Sequence, residues 1–338
     1  MRALQLVAYG GPDGLREADV PIPRADDDSI VVDVRAIGIN YPDLLMTQGL
    51  YQVKPELPFV PGSEIAGLVA EAPEASGWSR GDRVAAFVWA GGYAERTRVP
   101  LNAVFPLPEG MDFRTGAATI INYHTVHFAL RRRGSIVQGE TLLVLGAGGG
   151  IGSAAVQVGK GLGARVIGGV ADESQLDAAR EAGADDVLVL SEGFSRDVRD
   201  LTGGRGVDLV LDPLGDWLFG EAIRALAPAG RILVVGFAAG QIPEIKVNRL
   251  LLKNVSVVGV AWGAFLDLDP DLMGSASRSL AEMFERGSLT PLIGHEFGFE
   301  EIPQALHQLS RGQIRGKAVV LLPAAGAPRQ APETDPIA

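Results

Sequence analysis

Between Thr141 and Val170 the chain reads TLLVLGAGGGIGSAAVQVGKGLGARVIGGV: an apolar strand, a glycine cluster, a helix rich in Ala and Val, and a second strand. That order is the opening βαβ unit of a dinucleotide-binding sheet. The glycines have separate physical tasks. Without a Cβ, Gly149 and Gly150 let the backbone turn sharply and approach a pyrophosphate, while Gly152 lets the new helix pack against the strand. The helix starting near Ile151 then offers unpaired N–H groups and the positive end of its dipole to an anion. A merely structural turn is the competing reading. Both flanking strands and a helix of suitable length argue against it.

The alternation continues downstream. Helices are expected near Glu173 to Glu181, Phe194 to Leu201 and Asp216 to Leu226. Strands are expected at Asp186 to Leu190, Val207 to Leu211, Arg231 to Phe237 and Val255 to Val260. Strands and helices in alternation imply an α/β fold, a doubly wound parallel sheet covered on both faces, here over about residues 123–262. Residues 1–122 differ. Their short β-type runs, broken by Pro and Gly, suggest a largely antiparallel, barrel-like domain. After Val260 come a helix near Ser275 to Arg286, an apolar turn (LTPLIGHEF), a second helix (EEIPQALHQL) and a terminal strand (GKAVVLL). These are too few elements for a domain alone, so residues 263–322 are expected to complete the N-terminal one. Residues 323–338, rich in Pro and Ala, are expected to be disordered.

Composition narrows the partners. The net charge of −11 argues against an extended phosphate-binding surface for nucleic acid. With no cysteine at all, disulfides, thiolate nucleophiles and cysteine-ligated zinc are excluded. The N-terminal MRALQLVAYGGPDGL turns polar before a signal-like core can form, and no apolar run reaches membrane-spanning length. A cytoplasmic enzyme that binds no membrane is expected. VSVVGV is a wholly apolar strand with no later strand to cover it, which points to a homodimer.

Several motifs together carry a family resemblance: Asn40-x-x-Asp43, Gly49-Leu50-Tyr51, Pro61-Gly62-x-Glu64-x-x-Gly67, Gly81-Asp82-Arg83-Val84, Ala147-x-Gly149-x-x-Gly152, and Gly230-Arg231 leading to Gly236. With them the chain, to about Leu322, resembles the medium-chain dehydrogenase/reductase superfamily in its zinc-free quinone oxidoreductase branch. The resemblance implies a GroES-like barrel beside a Rossmann domain. Asn40 stands where zinc-dependent relatives place their first Cys, and Ser63 where their Gly-His-Glu motif has His. Neither zinc site can be built from these residues. Without a Lewis acid, oxidation of simple alcohols is disfavoured, whereas hydride donation to a quinone or an α,β-unsaturated carbonyl remains feasible.

The resemblance also assigns residues. It implies that Asn40 and Tyr51 hydrogen-bond a substrate carbonyl, that Asp43 fixes the loop, and that Tyr41 lines the cleft. The alternative for Asp43 and Tyr51 is a cap and a packing aromatic. Thr47 departs from the Arg common in the family. For the cofactor, the resemblance implies contacts from Thr125, Gly149, Gly150, Ile151, Gly152, Gly236, Phe237, Ala238 and Trp262, with Asp212 at the end of its strand. His124 and His127 have no acidic neighbour in sequence and read as packing residues. Val170 occupies the position where NAD-preferring relatives carry an acid, so NADPH is expected, with weaker NADH binding. Gln175 and Leu190 replace a Lys and a Tyr that hold the 2′-phosphate in relatives, leaving Lys317 or Arg315 to supply the charge. An enoyl-thioester reductase and a non-enzymatic NADPH-binding protein are the rival functions.

Overall fold

The structure, a computed structural model, describes residues 1–323. The expected disordered tail therefore lies, but for Pro323, outside the described residues. Two large sheets organise the rest, and Arg2–Leu6 pairs with Leu15–Asp19 in a third, two-stranded one. The first has six strands, all parallel, in the spatial order Asp186–Val189, Arg165–Val170, Thr141–Leu145, Val207–Asp212, Leu226–Val234, Ser256–Gly259. Chain order thus runs outward from Thr141–Leu145 in one direction and then returns to its other side. The crevice at that reversal is where a doubly wound sheet binds its ligand. The three strands at its centre are apolar and almost wholly buried, as a sheet covered on both faces requires.

The second sheet is mainly antiparallel and runs Ile293–Phe297, Lys317–Leu321, Ser29–Ile39, Glu64–Glu71, Arg83–Phe87, Val104–Pro106. Ser29–Ile39 is the long member. Its first half pairs with Arg96–Pro100 and its second half with Lys317–Leu321, the two partners sharing one edge on either side of an irregularity near Val34. The terminal strand is thereby locked inside the N-terminal sheet. LTPLIGHEF is a strand rather than the expected turn: Ile293–Phe297 pairs in parallel with Lys317–Leu321. Its Pro and Gly read as breakers locally, but a ready-made neighbouring edge overrides them.

Smaller differences lie at element ends. The strand expected from Arg231 begins at Leu226 and stops at Val234, leaving Gly236 to Ala238 in the loop beyond it. The late helix runs Leu272–Glu285, starting earlier than expected. Ser256–Gly259 is an edge strand, and Val247, Leu251 and Leu252 just before it are at least three-quarters exposed. Among the described residues no helix is long and apolar enough to cross a membrane.

Candidate active site

The site begins with a buried carboxylate. Glu64 opens its strand with no solvent exposure and has four donors. Oε2 accepts from Lys317 Nζ at 2.7 Å and Asn40 Nδ2 at 3.0 Å; Oε1 accepts from the backbone N–H of Ile120 at 2.6 Å and of Ile121 at 3.1 Å. The last two bonds cap the helix Ile120–His127, whose own N-cap, Thr119, provides no side-chain bond. A carboxylate at a helix N-terminus also opposes the positive end of the helix dipole.

Asn40 is equally committed. Its second amide hydrogen goes to Gly38 O at 3.0 Å, and its Oδ1 accepts from Lys317 Nζ at 2.5 Å. With both hydrogens given away and the residue 3% exposed, Asn40 has no donor left for a substrate carbonyl. That corrects the role implied for it. Lys317 is corrected too: it is 4% exposed and points to Glu64 and Asn40, because its strand lies between two others. It cannot reach a phosphate at the cofactor's ribose. Arg315 is ion-paired with Glu181 at the surface.

Asp43 is a capping residue at the start of the helix Tyr41–Gln48. It accepts from the Asn40 backbone N–H at 3.0 Å, from Ser63 Oγ at 2.7 Å and from Tyr93 OH at 3.1 Å. Burial lifts its pKa from 3.8 to about 6, opposed by the Ser63 bond, Lys317, the Asn40 amide and Tyr93. The three donors around it favour its ionised form. Tyr51 is half-buried, and its phenol is pushed above 10 by burial first and by the Asp43 charge second. Tyr51 stays a neutral hydrogen-bond donor. Tyr41 begins the helix Tyr41–Gln48 and packs partly against the core.

The glycine loop faces this assembly from the parallel sheet. Gly149 is the N-cap of the helix Gly150–Gly161 and has no side chain to cap it. The first N–H groups of that helix, on Gly150, Ile151 and Gly152, have no partner within it. A Cβ on Gly149 would touch nothing nearer than Gly146 O at 3.6 Å, so the space beside it is open. A Cβ on Gly152 would stand 1.9 Å from Gly146 O, so only glycine allows the helix this close to the preceding turn. An uncapped helix start, an open cradle and a switch-point crevice fit a dinucleotide pyrophosphate.

Other expected cofactor residues divide. Thr125 is 9% exposed, on the helix that packs against Gly150–Gly161. Phe237 is 39% exposed, whereas the Ala238 N–H is spent on Pro213 O at 3.0 Å and cannot serve a cofactor in this conformation. Asp212 accepts from Leu214 N and Gly215 N with Oδ1, while Oδ2 is closed off without a partner, and burial raises its pKa. Trp262 is turned inward. Its ring lies 5.1 Å from Phe87 and 6.0 Å from His124, so it packs in an aromatic cluster and does not cover a cofactor. The exposed aromatic at this wall is Trp89, lying over Gly263, where a Cβ would come within 2.7 Å of its ring.

The histidines are interior groups. His124 uses Nδ1 on Ile120 O and Nε2 on Ser277 Oγ, and burial lowers its pKa to about 4. His127 is lowered to about 4 by burial first, then by His124 and Arg131. Neither is charged at pH 7. Sequence reasoning missed Tyr93, Trp89 and Asn122. Asn122 carried one readable signal: it precedes Thr125 by three positions and so shares its helix face.

Comparison with known proteins agrees with this geometry. Residues 26–109 match the alcohol dehydrogenase GroES-like domain and residues 150–277 the zinc-binding dehydrogenase domain. The chain is 36% identical over 294 residues to a quinone oxidoreductase-like protein 2 homolog of Nematostella vectensis, spanning 86% of this chain and 80% of that one. The chain belongs to the medium-chain dehydrogenase/reductase superfamily, in its quinone oxidoreductase branch. It is also similar to the crystal structure of a probable oxidoreductase from Mycobacterium abscessus, at 46% identity and a TM-score of 0.88, over 95% of this chain and 99% of that one. A mycobacterial protein solved in complex with NADPH matches at 29% identity and a TM-score of 0.88, over 95% and 100%. The family is one of nicotinamide-dependent oxidoreductases.

The buried ion pair gives a direct test. Lys317→Met would leave the Glu64 carboxylate interior and without a countercharge, a loss of about 3–5 kcal/mol. Urea unfolding at pH 7 should show that shift, and Glu64→Gln combined with Lys317→Met should recover part of it. An unmoved midpoint in Lys317→Met would contradict the pairing.

Proposed function

We propose that this protein transfers a hydride from NADPH to a quinone or an α,β-unsaturated carbonyl without a metal. The observation carrying this reading is what has become of the positions where zinc enzymes of the superfamily hold their ion. Ser63 donates to Asp43, Glu64 is filled by four donors including Lys317, and Asn40 has no free donor. Among the described residues no three His, Asp or Glu side chains converge as a metal site. An acceptor that delocalises its own developing negative charge does not need a Lewis acid, whereas an alcohol substrate does.

When bound, NADPH supplies the hydride. The glycine loop and the start of helix Gly150–Gly161 would hold its pyrophosphate, and Thr125 would flank the nicotinamide end. Tyr51, kept protonated by its surroundings, is the available donor to the acceptor's carbonyl oxygen. Trp89 forms an apolar wall suited to a flat substrate.

The choice of NADPH rests on Val170, which is apolar and buried at the end of its strand. Asp172 accepts from Ser174 N at 2.9 Å and from Ser174 Oγ through Oδ1 alone, and its charge weighs against a 2′-phosphate. With Lys317 interior and Arg315 engaged by Glu181, preference over NADH should be modest, below about a hundredfold.

Turnover of phenanthrenequinone, a 2-alkenal and crotonyl-CoA with NADPH and with NADH, each with and without EDTA, tests the reading. Quinone and enal should be reduced faster than crotonyl-CoA, faster with NADPH, and equally with chelator. Activity confined to crotonyl-CoA would favour an enoyl-thioester reductase. Dinucleotide binding without any turnover would mark a non-enzymatic binding protein, and loss of activity in EDTA would restore a metal to the mechanism.

The same reading includes a cytoplasmic homodimer. Among the described residues no strand pairs the outer edge of Ser256–Gly259, and Val257, Leu251 and Leu252 are exposed beside it. An apolar edge of this kind is commonly covered by a two-fold copy. Light scattering at micromolar concentration should give twice the chain mass, and Val257→Lys should reduce it to one. A wild-type monomer would contradict the arrangement.

A further inference from the structure

We infer that Asn122 is a positioning residue for the pyrophosphate of the bound dinucleotide. The inference rests on the NAD(P)H reading above and names a residue that reading does not use. Asn122 lies in the first turn of the helix Ile120–His127, which Glu64 caps, and is 6% exposed. Its side-chain amide makes no hydrogen bond to any described residue, whereas the buried side chains of Asn40, Asp43, Glu64 and Lys317 all do.

The amide is aimed at the glycine loop. A Cβ on Gly150, the first residue of the helix Gly150–Gly161, would stand 2.6 Å from Asn122 Nδ2. The Gly316 carbonyl oxygen is 3.4 Å from the same point. Gly316 N is itself bonded to Gly148 O at 2.8 Å, so the terminal segment fixes the loop from its other side. Asn122 therefore sits in contact with the helix start and leaves no room for a side chain at position 150.

The logic is one of unmatched donors. The first N–H groups of the helix are donors and nothing caps them. Asn122 Nδ2 is another donor beside them, and donors cannot satisfy one another. Neither has a partner among the described residues, so an acceptor entering the cleft can take both. An anion with several oxygens at one helix N-terminus meets all of them, and a dinucleotide pyrophosphate is that group. Thr125, one turn along on the same face, continues the polar edge toward the nicotinamide.

Two variants test this, with dissociation constants read from intrinsic Trp fluorescence and folding checked by thermal unfolding. Asn122→Ala should weaken NADPH and NADH by the same factor, about 5- to 20-fold, leaving their ratio unchanged. Adenosine 2′-monophosphate, which lacks the pyrophosphate, should bind as before. Asn122→Asp keeps the shape and brings a carboxylate to the anion, so it should weaken both dinucleotides by more than about a hundredfold. Unchanged dinucleotide affinity in either folded variant would overturn the inference. So would an equal loss of adenosine 2′-monophosphate, which would mark a general disturbance of the site. If the wild-type protein binds neither dinucleotide, the NAD(P)H reading fails first and takes this inference with it.

Discussion

Everything at the junction of the two sheets depends on the Glu64 carboxylate. It is wholly buried, and its oxygens are filled by Lys317, by Asn40 and by two backbone N–H groups of one helix. Burying a charge is tolerable only when paired and hydrogen-bonded in this way. The four donors come from a loop, a helix start and the last strand of the chain, parts separated by up to 277 residues. One carboxylate thus holds together the end of Ser29–Ile39, the terminal strand and the helix that carries Asn122 and Thr125 to the glycine loop. In zinc enzymes of the superfamily a neighbouring motif residue binds metal. Here the same corner is a structural knot.

Asp43 forms a second, smaller knot beside the first. Ser63 and Tyr93 approach it from the Glu64 strand's approach and from the segment after Arg83–Phe87, and the Asn40 backbone closes the turn. Its charge is one cause of the raised Tyr51 pKa. Asn40 has given away both amide hydrogens, whereas Tyr51 keeps a half-buried phenol whose proton is held first by burial and then by the Asp43 charge.

Much of the fold was legible because it rests on local periodicity. The glycine loop, the alternating strands and helices, and GKAVVLL as a strand all follow from short patterns, whereas its place beside Ser29–Ile39 does not. Misread features depended on distant partners. Lys317 looks like a surface cation in RGQIRGK, and nothing nearby in sequence reveals that Glu64 waits 253 residues away. Ile293–Phe297 carries breakers and becomes a strand only beside Lys317–Leu321. Trp262 follows an edge strand and is drawn inward by Phe87, which the sequence places far from it. The motif around Asn40 was visible, but its role was not, because that role lies in where two amide hydrogens point.

Asn40→Ala, measured for both stability and turnover, tests whether Asn40 and its partners support the site without touching the substrate. The expected result is a loss of about 1–3 kcal/mol in urea unfolding, from removed bonds to Glu64 and Lys317, with kcat/KM for quinone changed by less than about threefold in the folded enzyme. A tenfold or greater fall in kcat/KM at unchanged stability would contradict it and return Asn40 to the chemistry.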